Sequence, residues 1–142
     1  MSVYKDTLKI STKGEVDMVD ITKEVQKIVS KSGIKDGIVN IFNLGSTGSI
    51  ITIEYEPGLK KDFPKILERI APMNEKEYYY HHHETWGDYN GHSHCRASLI
   101  GPSLTVPLSN SSLTLGTWQQ ICFVELDTHP RNRNLKITVI GE

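Results

Sequence analysis

The chain has 142 residues, a formal net charge of −1 at neutral pH, and 37% hydrophobic against 23% charged residues. That length suits one domain around a single core, residues 1–142, and the composition excludes a disordered chain. A net charge so close to zero supplies no field for DNA, RNA or an anionic membrane, so any anion site must be built locally.

Near the start, Val3 to Ile10 and Val16 to Val19 have strand-like composition, and Ser11-Thr12-Lys13-Gly14 between them reads as a hairpin turn. Thr22 offers an N-cap with Glu24 in the first turn. Val25, Ile28 and Val29 then fall on one helical face, and Gly33 is a stop. Gly37 to Phe42 and Ile50 to Tyr55 are rich in β-branched and aromatic residues and are expected to pair as antiparallel neighbours across Gly45-Ser46-Thr47-Gly48. Leu59, Phe63, Ile66, Leu67 and Ile70 repeat at helical spacing, with Pro64 inside the pattern and Pro72 beyond it. The spacing predicts a second helix, with a break near Pro64. Met73 to Gly91 is a long polar, aromatic and histidine-rich connection, of the kind that carries function. From Cys95 to Ile140, β-rich runs alternate with turns at Gly101-Pro102, Ser109-Asn110-Ser111 and His129-Pro130, which predicts a meander of strands. The expected class is α+β, a largely antiparallel sheet packed with two main helices.

No apolar run approaches the roughly 18 residues of a spanning helix. The polar opening Ser2-Val3-Tyr4-Lys5-Asp6 lacks the layout of a signal peptide, so a cytoplasmic protein is expected. Cys95 and Cys122 lie in apolar stretches without the spacing of a metal knuckle or redox pair, and both read as reduced core residues.

His92 and His94 are two apart. On an extended Gly91–Ser98 segment both imidazoles would leave one face about 7 Å apart and could reach one metal, with Arg96 on the same side. A third ligand would have to come from elsewhere, and His81, His82 and His83 are the nearest candidates. The competing reading is a pair of strand histidines bonded to backbone beside a solvated loop. Arg131 and Arg133 offer two planar forks for phosphate or carboxylate, against the alternative of a solvated turn. Ser46 and Thr47, between two glycines, could present N–H groups and hydroxyls to an oxyanion, although a plain turn is the simpler account. Glu54, Asp62, Glu125 and Asp127 are carboxylates that could act as a base or orient a histidine.

The run Asn90-Gly91-His92-Ser93-His94, followed by Arg96 to Ser103, Val106-Pro107, Leu115 to Gln120, Glu125, Asp127 and Arg131-Asn132-Arg133, closely resembles the YjbQ-like family. Upstream, Asp20-Ile21-Thr22, Glu54, Asp62, Pro72 and Tyr80-x-His82 extend the resemblance over nearly the whole chain. It implies an α+β domain that assembles as a homotrimer, a histidine metal site, and weak thiamine-phosphate synthase activity in some members. By position it implies that His82, His92 and His94 hold a divalent ion, zinc first with magnesium as the alternative. Arg131 and Arg133, with Arg96 and Ser46, would grip a phosphorylated small molecule, and Thr47 and Glu54 would take the catalytic roles. Many members carry His-Thr-Thr where this chain has Gly45-Ser46-Thr47, so a non-catalytic module that binds metal or an anionic metabolite is the rival expectation.

Overall fold

The computed structural model describes all 142 residues. In chain order they form β1 (Ser2–Ser11), β2 (Asp17–Asp20), α1 (Thr22–Ser32), β3 (Gly37–Asn43), β4 (Gly48–Ile53), α2 (Pro57–Ile70), α3 (His82–Trp86), α4 (Gly91–Ile100), β5 (Ser103–Ser109), β6 (Ser112–Leu113), β7 (Gln120–Glu125) and β8 (Asn132–Gly141). A five-stranded sheet has the order β1-β8-β3-β5-β6, and a three-stranded sheet has the order β2-β7-β4. Every strand pair is antiparallel, so the class is α+β as the sequence predicts.

The central strand of the small sheet explains the layering. Along β7, Ile121 and Phe123 join α1 and the five-stranded sheet in the main core, with Val25, Val29, Ile41 and Ile137. Cys122 and Val124 point the other way, into a second core with Met18, Leu67 of α2 and Ala97 of α4. Successive side chains of a strand leave opposite faces. A strand covered on both faces is therefore apolar where it is covered, here Ile121 to Val124, and β7 stays buried as far as Glu125, whose charge is paired with Arg133.

Local chemistry fixes the helix ends. The N-cap position of α1 is Ile21 rather than Thr22 and makes no side-chain cap bond, but Asp20 Oδ1 just before it accepts from the backbone N–H and the hydroxyl of Thr22, satisfying the first N–H of the helix. Gly33 closes α1 in the left-handed region, at φ 73°. Helix α2 begins earlier than its apolar repeat, because Pro57 occupies the first turn and Glu56 accepts from the N–H groups of Gly58 and Leu59. It runs unbroken through Pro64.

Several expectations are corrected. β1 and β2 are not a hairpin, since β1 pairs with β8 and β2 with β7 in the other sheet. β3 and β4 follow one another but belong to different sheets, and the last third is not a simple meander either, because β5 pairs with β3, β7 with β2 and β4, and β8 with β1 and β3. The Asn110-Ser111 turn does form, joining β5 to β6 with both residues at positive φ, as tight hairpins require. Cys122 is buried, and burial pushes its thiol up to about 12, whereas Cys95 is exposed on α4. No helix is long and apolar enough to cross a membrane.

Candidate functional site

A cleft of about 470 Å³ opens where the β3–β4 turn, the end of β7, the start of β8 and the α3–α4 segment meet. Gly48 pairs with Glu125 across β4 and β7, and the N–H of Leu126 donates to Thr47 O at 2.9 Å. The turn is thus held beside Glu125 and Asp127. Arg131 and Arg133, at the entry to β8, complete one wall.

Glu125 is fully buried. Its Oε1 accepts from Arg133 Nε at 2.8 Å and from the Thr12 hydroxyl at 2.7 Å, and its Oε2 accepts from Arg133 Nη2 and from the N–H of Asp127. Arg133 Nη2 also donates to Thr47 O at 3.1 Å and Thr47 Oγ1 at 2.9 Å. The Thr47 hydroxyl in turn donates to Asp127 Oδ2 at 3.0 Å. That oxygen accepts from Arg131 Nε at 3.1 Å and Nη2 at 2.6 Å, while Oδ1 accepts from the N–H of Thr128 and the amide of Asn90. Burial alone pushes the Asp127 pKa up. The donors from Thr128, Asn90, Arg131 and Thr47 outweigh it and hold the carboxyl down at about 2. Each guanidinium is gripped through Nε and Nη2, and Nη1 of both arginines has no hydrogen-bond partner.

The other wall carries His82 and His94, with ring centroids 4.4 Å apart and planes tilted by 55°. Burial lowers the pKa of His94, the neighbouring His82 lowers it further, and Asp127 and Asp88 pull weakly the other way. A lowered pKa favours the neutral imidazole, the form that can accept a hydrogen bond. Asp88 stands 3.9 Å from His82 Nε2. Two imidazoles form half of a metal seat, and no group of three His, Cys, Asp or Glu side chains is arranged to close on an ion.

The structure brings together Ser46, Thr47, His82, His94, Arg131 and Arg133. It does not bring His92, Arg96 or Glu54 with them. Gly91–Ser98 is helical rather than extended, so residues two apart face away from each other and residues four apart share a face. His92 is buried and shares its face with Arg96. His92 Nε2 lies 2.8 Å from Glu15 Oε2. Arg96 donates through Nε to Ala71 O at 2.9 Å and sits near Glu15 and Glu68. Glu54 lies exposed beyond the far end of β4, so it cannot work with Thr47 at the near end. Of the carboxylates expected to act as a base or orient a histidine, Glu125 and Asp127 orient arginines instead. Sequence reasoning did not assign Glu15, Asp88 or Asn90 a role. Asn90 stands at the N-cap of α4 but spends its amide on Asp127, and nothing local marks Glu15 as a histidine partner.

Two glycines are required by close approach. A Cβ on Gly91 would overlap the Tyr80 side chain, against which α4 begins. A Cβ on Gly45 would stand 2.7 Å from Arg133 Nη1. The tip of an arginine ordinarily gives way cheaply, but this one is tethered to Glu125 and Thr47 and is only 7% exposed.

The fold and the cleft together define an α+β domain whose polar site gathers paired arginines, buried carboxylates and two histidines at one end of its sheets. Residues 6–142 match the model of the family described as UPF0047 protein YjbQ-like, and the chain belongs to that family. A UPF0047 protein of Methanothermobacter thermautotrophicus is 42% identical over 142 residues, covering 100% of this chain and 95% of the relative. The Bacillus subtilis UPF0047 protein YugU is 34% identical, covering 95% and 98%. Among solved structures, a protein of unknown function from Sulfolobus solfataricus P2 superposes with a TM-score of 0.91 at 35% identity, over 99% of both chains. An uncharacterized conserved protein from Clostridium acetobutylicum does so at 0.85 and 32%, over 95% and 99%.

Proposed function

We propose that the cleft binds a phosphorylated small molecule, with Arg131 and Arg133 holding its anionic end. The observation that carries this reading is the paired geometry: buried Asp127 and Glu125 fix the two guanidinium planes from behind, and each leaves Nη1 without a protein partner. Formal charge cancels within these two pairs. Affinity would rest on oriented N–H donors, with Ser46 on the cleft wall adding a hydroxyl.

Within the same reading, His82 and His94 seat a divalent ion, zinc first and magnesium as the alternative. Its remaining ligands would come from the bound anion or water, since the cleft offers only this pair of imidazoles. The reaction to test is of the thiamine-phosphate synthase type, in which a thiazole nitrogen displaces pyrophosphate from a pyrimidine-methyl group. Negative charge grows on the leaving oxygens, and fixed donors would stabilise it. Thr47 is a positioning residue in this account, because its hydroxyl is already committed to Asp127 and Arg133. The homotrimer implied by the family resemblance belongs to the same proposal.

A non-catalytic anion-binding module is the second reading. It is favoured by the absence of a side chain at Gly45 and by the distance of Glu54 from the cleft, which leave His82 and His94 as the histidines for proton transfer. Metal analysis, pyrophosphate titration, oligomer size and turnover of the pyrimidine and thiazole phosphates separate the readings. Binding of about one ion per chain that is lost in His94→Ala supports the metal seat. Pyrophosphate binding that weakens in Arg131→Ala supports the anion site, and turnover supports the enzyme over the module. Pyrophosphate affinity equal in wild type and Arg131→Ala would overturn the central claim.

A further inference from the structure

Four of the six histidines of this chain are divided between two cavities. A second one, of about 430 Å³, shares no lining residue with the arginine cleft, and the two alternate along the chain. His82, Asn90 and His94 face the cleft, whereas His83, Tyr89 and His92 face the second cavity. No arginine lines it, and Lys76 at its wall is matched by Glu75.

Four of its nine lining residues, Tyr80, His83, Tyr89 and His92, carry rings. His83 and Tyr89 stack with centroids 3.6 Å apart and 29° between their planes, and Tyr80 lies 6.2 Å from His92. Tyr89 holds a left-handed backbone conformation, φ 53°, which a side chain larger than Asn or Asp rarely adopts, and in that conformation its ring lies on His83. The Tyr80 hydroxyl is committed to Pro72 O at 2.7 Å. His92 Nε2 lies 2.8 Å from Glu15 Oε2; in the tautomer that donates Nε2–H to this carboxylate Nδ1 is an acceptor, and Nδ1 has no hydrogen-bond partner in the protein. A buried imidazole oriented by a carboxylate, with its other nitrogen unused, beside a cavity walled by aromatic side chains, matches the usual make-up of a small-molecule pocket.

We infer that this cavity is a second ligand site, which takes a small planar ring compound bearing one N–H or O–H donor. The ring packs against the His83–Tyr89 stack and Tyr80, and the donor bonds to His92 Nδ1. Phosphate is not its ligand, because the cavity lacks the oriented guanidinium donors of the cleft. The inference goes beyond the proposed function and stands without it.

The test uses the intact protein, ligand-observed NMR titration, and three probes: indole, 1-methylindole and inorganic phosphate. Indole and its methylated form share a ring face and differ in the N–H. Indole should bind, 1-methylindole should bind about fivefold more weakly, and Tyr89→Ala should weaken indole by a similar factor. Tyr89 is 58% exposed, so its truncation leaves the core intact, and His83→Ala serves as an independent second variant. Phosphate binding should be unchanged in both variants, which separates this cavity from the cleft. Absence of indole binding at millimolar concentration, equal affinity for the two indoles, or indole binding indifferent to both variants would each overturn the inference.

Discussion

The two arginine–carboxylate pairs of the cleft have the same chemistry in different surroundings. Arg133 and Glu125 are both sealed, at 7% and 0% side-chain exposure, whereas Arg131 leaves 48% of its side chain in solvent over a buried Asp127. The sealed pair closes the end of the main core, with the guanidinium 5.8 Å from the centre of the Phe123 ring. The half-open pair faces the cleft. An Arg-x-Arg motif therefore supplies one group that chiefly holds the site together and one that chiefly meets a ligand.

The largest expected effect is at the sealed pair. Glu125→Ala leaves a buried guanidinium without its counter-charge and should lose about 3–5 kcal/mol in urea unfolding. Joint replacement, Glu125→Leu with Arg133→Met, removes both charges and should recover most of that loss. A Glu125→Ala loss below about 1 kcal/mol, the range of an exposed pair, would erase the distinction between the two pairs.

Asp127 gives the next effect, through pH. Its folded value, about 2, lies below the ordinary 3.8, so it stabilises the fold above the unfolded value and the contribution disappears as pH falls through the folded one. About 2 kcal/mol should be lost between roughly pH 4 and pH 2. Asp127→Asn should flatten stability in that window, while an unchanged slope would show that other carboxylates carry the acid sensitivity.

Gly45→Ala should cost about 1–2 kcal/mol, because the new Cβ meets a guanidinium that cannot swing aside without leaving Glu125 and Thr47. The backbone there is not left-handed, so the effect is steric alone. In an Arg133→Met background the same substitution should be nearly neutral, and a double-mutant cycle measures the difference. Equal costs in both backgrounds would remove Arg133 as the reason for the glycine.

The contrast between motif and site also explains what could be read from the sequence. Val25, Ile28 and Val29 mark α1, and the unbroken apolar run of β7 marks a strand covered on both faces, because in each case burial and hydropathy coincide. On α4 they do not. Its buried face is His92, Ser93, Arg96 and Ala97, helical in spacing but mostly polar, so hydropathy reports no helix and His-x-His looks like a strand pair. Sheet membership was hidden for another reason. The β1–β8 ladder joins Ser2 to Gly141, and the carboxylate that orients His92 comes from Glu15, so both depend on contacts between distant parts of the chain. Arg131, Arg133, Ser46, Thr47, His82 and His94 share the cleft because three separate parts of the chain meet there, whereas His92 and Arg96, on the same helix as His94, face away from it. β4 carries Glu54 to the opposite end of the sheet from Thr47, a separation that spacing in the sequence does not reveal.

Arg131 should show the smallest change in stability and a large change in binding. When Arg131→Ala removes the guanidinium, Asp127 still accepts from Thr47, Thr128 and Asn90, so no carboxylate is left bare and the loss should be about 1 kcal/mol. Pyrophosphate affinity should fall about tenfold or more, since an oriented charged donor is lost. Arg131→Lys restores the charge without the planar fork. If lysine recovers little of the affinity, the buried carboxylate acts by holding a fork in one orientation. Full recovery would mean that a point charge suffices, and the geometry behind Arg131 would then serve the fold more than the ligand.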